Sequence, residues 1–268
     1  MRKSNITKRI WWGSFTFPEN TGGKWRIGPA TFWIERSIHE WRVAYKAVDE
    51  LAENGAEVAL PLQGPVEHGS GVAVTRFGMS KTTGNLTITP VLADRSVVIR
   101  PETPFYILPN QDVAFYVSSP LWVRIETGDP PVVLRDIPIF RPSDTWFGPS
   151  TMEGELCYAD RVYGRLKLED IKFRPHRAIT VVFLQNQGSG SIFLERLNLP
   201  VPNLSIYEAE DGYLWTQAVT LKMGIGKKAE LELKKKAPAA AKNPKLISGP
   251  RQKAEKSILS RALKNLII

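Results

Sequence analysis

Apolar and polar positions alternate in short stretches along most of this chain, and turn residues interrupt them at intervals of about ten residues. Gly13-Ser14-Phe15-Thr16-Phe17 alternates and then breaks at Pro18-Glu19-Asn20. Thr31–Ile34 and Glu40–Tyr45 flank a short polar connection, which predicts a hairpin with Trp41, Val43 and Tyr45 on one face. A helix over Ile38–Ala52 is the competing reading, because Trp41, Ala44, Tyr45, Val48, Leu51 and Ala52 also fit a 3.6-residue period. A strand followed by a short helical turn is favoured. Further strands are expected at Glu57–Leu60, Gly71–Arg76, Asn85–Ile88, Ser96–Ile99, Val113–Val117, Leu121–Glu126 and Val132–Leu134. After these come Glu155–Tyr158, Gly164–Leu168, Ala178–Leu184, Ser191–Leu194, Leu204–Tyr207 and Tyr213–Leu221. Such a series predicts an all-β fold, an antiparallel β-sandwich body of one large or two packed lobes. No long helical stretch separates the strands, which argues against alternating β and α units.

The pattern changes near the end. Lys228–Lys234 alternates apolar with charged residues and reads as a final edge strand. Residues 235–253 are rich in Ala, Pro and Lys, the composition of a basic linker. Residues 254–268 carry one apolar stripe and predict a C-terminal amphipathic helix. The expected organisation is therefore a β-rich body over residues 1–234, a linker over 235–253 and a helix over 254–268. A seam is expected near 128–149, where Pro130, Pro131, Pro138, Pro142 and Pro149 cluster.

Charge sharpens this division. The chain has 36 Lys and Arg, 27 Asp and Glu, and a net charge of +9. Residues 226–268 hold 12 of those cations and 3 of those anions, so the whole net charge falls on them. A short helix is marginal alone in water, so its stripe needs a cover. Ile258, Leu259, Leu263, Leu266 and Ile267 are the expected contacts, for a protein partner or for self-association. An acidic membrane surface is the weaker alternative, because the stripe lacks Trp and Phe. Nucleic-acid binding by the tail is disfavoured, since the tail has no aromatic residue to stack on bases.

Catalytic chemistry leaves little trace. Cys157 is the only cysteine, so no intrachain disulfide forms. His39, His68 and His176 stand far apart, which argues against a metal site. No cofactor motif is visible. Neither a signal sequence nor a membrane span is apparent, so a cytoplasmic location is expected. The most distinctive run is Arg141-Pro142-Ser143-Asp144-Thr145-Trp146-Phe147-Gly148, with Glu153 and Glu155 just beyond. Carboxylates at Asp144, Glu153 and Glu155 beside Trp146 suit a ligand or carbohydrate site, with hydrolysis conceivable if two of them converge. Turn-building with surface charge is the plainer reading. Trp25 and Trp33 would suit a sugar platform if exposed, although core packing is the commoner use of Trp.

The runs Ser143–Gly148 and Glu153–Ala159, with Ser118–Val123 and Glu40–Val43, resemble an archaeal and bacterial family known as domain of unknown function four hundred and thirty-two. The resemblance covers about residues 10–225 and leaves the tail outside. It implies no catalytic residue. The expected function is a non-enzymatic binding or accessory protein. A small-ligand or carbohydrate binder is the first alternative and tail-mediated nucleic-acid binding the second.

Overall fold

Aromatic and β-branched residues at every second position favour extended backbone, and in the computed structural model the regular elements of the described residues are strands and short 3-10 turns. The structure describes residues 10–48, 55–63, 68–69, 72–225 and 228–253. The strands are β1 (Gly13–Thr16), β2 (Thr21–Ile27), β3 (Ala30–Arg36), β4 (Glu40–Ala47), β5 (Ala56–Gln63), β6 (Val74–Gly78) and β7 (Asn85–Leu92). Next come β8 (Val97–Ile99), β9 (Phe105–Ile107), β10 (Asp112–Thr127), β11 (Val132–Pro138), β12 (Ser143–Phe147), β13 (Glu155–Ala159) and β14 (Arg177–Asn186). The last are β15 (Ile192–Leu194), β16 (Leu197–Leu199), β17 (Ile206–Glu208), β18 (Leu214–Thr216), β19 (Val219–Ile225), β20 (Lys228–Leu233) and β21 (Lys245–Ser248). Among the described residues no helix is long and apolar enough to cross a membrane.

The fold is all-β, and two compact units interleave along the chain. One comprises the described residues up to Pro90, Trp122–Phe140 and Arg174–His176. The other comprises Val91–Leu121, Arg141–Phe173 and the described residues from Arg177 onward. The crossing at 140/141 falls within the proline-rich stretch 128–149. Those prolines sit in the β10–β11 turn, at the end of β11 and on either side of β12, where a missing N–H disrupts no ladder.

In the first unit, β5-β2-β3-β4-β6 form an antiparallel sheet. The predicted hairpin is present, with Ala30 opposite Ala47 and Arg36 opposite Trp41. Glu40–Ala47 is strand and not helix, and Trp41 and Val43 are fully buried. Trp25, Ile27, Phe32 and Ile34 join them on the same face. Phe15 of β1 meets Trp25 edge-on at 5.4 Å, and Phe17 meets Trp41 at 5.5 Å. Arg36 closes this corner by donating to the Phe17 carbonyl at 2.7 Å and to the Thr82 carbonyl at 2.9 Å.

In the second unit, β14 pairs antiparallel with β10 and parallel with β18 and β19. β18 and β19 share the edge of β14 opposite β10; β17 and β21 continue from β18, and β20 from β19. A separate sheet runs β12-β13-β8-β16, with its β13–β8 pair parallel. The sheets are thus mainly antiparallel, as expected, with three parallel pairings among the described strands. Two predicted strands, Val113–Val117 and Leu121–Glu126, are one 16-residue strand, β10. Its pairing with β14 ends at Pro120 and its pairing with β11 begins at Trp122, so the proline lies where the strand changes partner. Gly164–Leu168 forms only isolated bridges, with Gly164 to Pro101 and Arg165 to Tyr116.

The segment expected to be a linker is built into the second unit. β21 pairs with β17, and Ala241 is buried against Ile179, Val181, Ala209, Trp215 and Ala218. Gln252 donates its backbone N–H to Pro202, and Arg251 donates to the Leu92 carbonyl. Its alanines divide: Ala241 is buried and Ala237 half-buried against this cluster, while Ala239 and Ala240 are exposed. The positive charge of 235–253 thus belongs to the body. The predicted helix and its contacts Ile258, Leu259, Leu263, Leu266 and Ile267 lie outside the described residues.

Within the second unit, Arg177 of β14 and Asp160 form an ion pair with side-chain exposures of 1% and 0%. Arg177 also donates to the Ser118 hydroxyl at 3.1 Å and to the Ser118 carbonyl. Asp160 accepts the Val162 N–H at 3.0 Å.

Removing one partner strands a buried charge. Asp160→Asn is expected to lower unfolding free energy by about 3–5 kcal/mol, while Asp160→Leu with Arg177→Met restores much of the loss. Urea titration of the three variants measures both. Gly28 has φ +53°, and a Cβ there would lie 2.3 Å from Nδ1 of the buried His176. Gly28→Ala should cost about 2 kcal/mol or more, whereas Gly190→Ala, with nothing within 4 Å, should be near neutral by the same titration.

Candidate functional site

Pro142 and Pro149 bracket five residues of extended backbone, and these form β12. It pairs with β13 so that Asp144 faces Tyr158, Thr145 faces Cys157, Trp146 faces Leu156 and Phe147 faces Glu155. Alternation sends Phe147, Cys157 and Glu155 to one side and Asp144, Trp146, Leu156 and Tyr158 to the other. The first side is closed. Phe147 and Cys157 are fully buried and pack with Val98. The Arg196 guanidinium lies 4.8 Å from the Phe147 ring, and Asn198 donates to the Glu155 carboxylate.

The second side is open. Trp146 is 43% exposed and its cross-strand neighbour Leu156 is 48% exposed. Met152, in the connecting loop, is 90% exposed. The indole is nonetheless fixed. Its Nε1 donates to the Ser150 carbonyl at 2.8 Å, and the ring passes so close to Gly154 that a Cβ there would sit 2.7 Å from Nε1. Ser150 Oγ shapes the loop by accepting the N–H groups of Met152 at 3.2 Å and Glu153 at 3.0 Å.

Beside this apolar group stands a charged one. Arg95 and Arg141 place their guanidinium groups 5.4 and 5.3 Å from the Tyr158 ring centre. Both pair with Asp144, Arg141 at 2.9 Å and Arg95 at 3.2 Å. The hydrogen bond to Asp144 raises the Arg141 pKa above its ordinary value. Burial, and then the hydrogen bond to Asp94 at 2.9 Å, push the Tyr158 hydroxyl upward.

The four proposed ligand residues are therefore only partly gathered. Asp144 and Trp146 share the open side. Glu155 is on the closed side, and Glu153 is exposed in the loop. Asp144 and Glu155 thus face away from each other across the hairpin. Trp25 is a core residue, and Trp33 is 8% exposed, with His68 edge-on at 5.8 Å, so neither offers a sugar platform. Among the described residues no group of three or more His, Cys, Asp or Glu could hold a metal ion. The sequence reading passed over Arg95, Leu156 and Tyr158, and the alternation Glu155-Leu156-Cys157-Tyr158 was the available signal for the last two.

Residues 11–268 match the family described as "Protein of unknown function (DUF432)". The chain belongs to this family. The DUF432 match reaches the last residue, which corrects the expectation that the tail lies outside it. It fits the structure, where residues 228–253 complete the second unit's sheet. No curated protein and no solved structure matches the chain.

Cys157 is fully buried in this DUF432 chain. Burial, reinforced by the nearby Glu155 carboxylate, pushes its thiol up to about 12 from an ordinary value of 9.0. A disulfide-forming thiol reagent at pH 8 should therefore label Cys157 only after denaturation, as read by absorbance. The unfolded thiol ionises near pH 9 while the folded one stays protonated to about 12. Its stability contribution is thus full below pH 9 and falls as pH rises toward 12. Cys157→Ala should flatten that alkaline decline in urea titrations.

Proposed function

We propose that this protein is a non-enzymatic accessory protein whose β scaffold, read as an antiparallel sandwich in its first unit, presents the open side of the β12–β13 hairpin to a protein partner. One observation carries the reading: Trp146, held rigid by Ser150 and Gly154, remains 43% exposed beside an equally exposed Leu156. A fixed, exposed Trp loses little conformational freedom on binding, and Trp, Tyr, Met and Arg dominate the energetic centres of interfaces. Arg95 and Arg141 share Asp144 and both lie over the Tyr158 ring, which puts two guanidinium groups at the edge of the apolar group. The complementary partner surface is an apolar pocket bordered by an Asp or Glu.

Trp146 packs into no core, so its removal should leave the fold intact. Trp146→Ala should bind a partner isolated with the native chain at least about tenfold more weakly. Arg141→Gln should weaken it less and reduce its salt dependence. Titration calorimetry with the purified partner, and melting curves for each variant, measure this. A Trp146→Ala protein that melts normally and binds as tightly as native would end the proposal.

A further inference from the structure

Lys234, Lys235 and Lys236 follow the end of β20, where the chain leaves the sheet, and Ala237-Pro238-Ala239 turn back over it. These six residues form one wall of a cleft of about 330 Å³, with Phe183 of β14 and Ala218 completing it. That volume lies at the lower end of small-ligand pockets, which run from about 300 to 1,000 Å³. Phe183 is 39% exposed although it sits in the interior strand of its sheet. Lys234 is engaged by Glu232 at 2.7 Å, and Lys222 stands 3.5 Å from Glu232 and 3.9 Å from Glu230. Lys235 and Lys236 are exposed and form no ion pair among the described residues. The cleft thus joins an apolar, aromatic wall to two uncompensated cations. Sequence alone argues against nucleic-acid binding here because no aromatic residue lies near these lysines in the chain. The fold supplies one from 51 positions earlier than Lys234.

We propose that this cleft binds a nucleotide, with its base against Phe183 and its phosphates on Lys235 and Lys236. A flat ring with an anionic tail satisfies both walls, because aromatic stacking accepts any base and ammonium groups are strong phosphate donors. Neither a neutral nucleoside nor a bare polyphosphate satisfies both.

Isothermal titration of the full chain at low salt tests this with ATP, adenosine, inorganic triphosphate and a short single-stranded oligonucleotide. ATP is expected to bind, with a Kd no weaker than about 1 mM. Lys235→Gln with Lys236→Gln should weaken it about tenfold or more, and Phe183→Ala about fivefold or more. Triphosphate should bind more weakly than ATP and be indifferent to Phe183→Ala. The proposal is overturned if ATP gives no binding at millimolar concentration, or if the double lysine variant binds as the native chain does. It is also overturned if triphosphate matches ATP, which would mean a simple anion patch. Much tighter binding of the oligonucleotide than of ATP would replace a free nucleotide by a nucleic-acid strand. Both lysines are exposed, so their variant keeps the test valid should Phe183→Ala fail to fold.

Discussion

A guanidinium and a carboxylate buried together hold the second unit in order. Each ion loses several kcal/mol of hydration on leaving water, and only close pairing with further hydrogen bonds offsets that. Arg177 meets this condition through Asp160 and both oxygens of Ser118. The three residues belong to the start of β14, the residue after β13 and the middle of β10. Their convergence fixes the end of β13, and β13 is the strand on which β12 and Trp146 are aligned. Placement of the exposed indole therefore traces back to an ion pair that no solvent reaches.

The β12–β13 hairpin divides its residues between stability and contact with a simplicity that follows from strand alternation. Phe147 and Cys157 seal one side, while Trp146 and Leu156 stay in water on the other. Leaving two such side chains exposed sacrifices burial free energy, at about 25 cal/mol per Å² of apolar surface. The loop spends a hydrogen bond and a glycine contact on holding the indole still, which an unused surface residue would not need. The same alternation puts Asp144 and Glu155 on opposite sides of the hairpin, while Glu153 lies in the loop between its strands.

The all-β character was legible because it rests on local alternation, as in Glu40–Tyr45, where burial of Trp41 and Val43 decided strand over helix. Pairing was less legible. The parallel neighbours β14–β18 and β14–β19 depend on contacts between segments about 35 residues apart that leave no local mark. The interleaved units were hidden for the same reason, since β10 runs through Pro120 without a break and passes from one to the other. Residues 235–253 misled most. Alanine and lysine suggest a solvated tether, yet Ala241 is buried in an apolar cluster with Ile179, Val181 and Trp215. At the hairpin, Trp146 could be named from the sequence. Arg95, 51 positions before it, could not, because only folding brings it to Asp144.

The pairing of β21 with β17 also dictates an order of events during synthesis. The second unit begins at Val91, yet it lacks an edge strand until Ser248 has been made. The first unit needs nothing beyond His176. A nascent chain can therefore complete the earlier unit while the later one still presents the open edge of β17, a site for mispairing with other extended chains. Synthesis of β21 closes that edge, so the interval between the emergence of β17 and that of β21 is when this protein most benefits from chaperone protection.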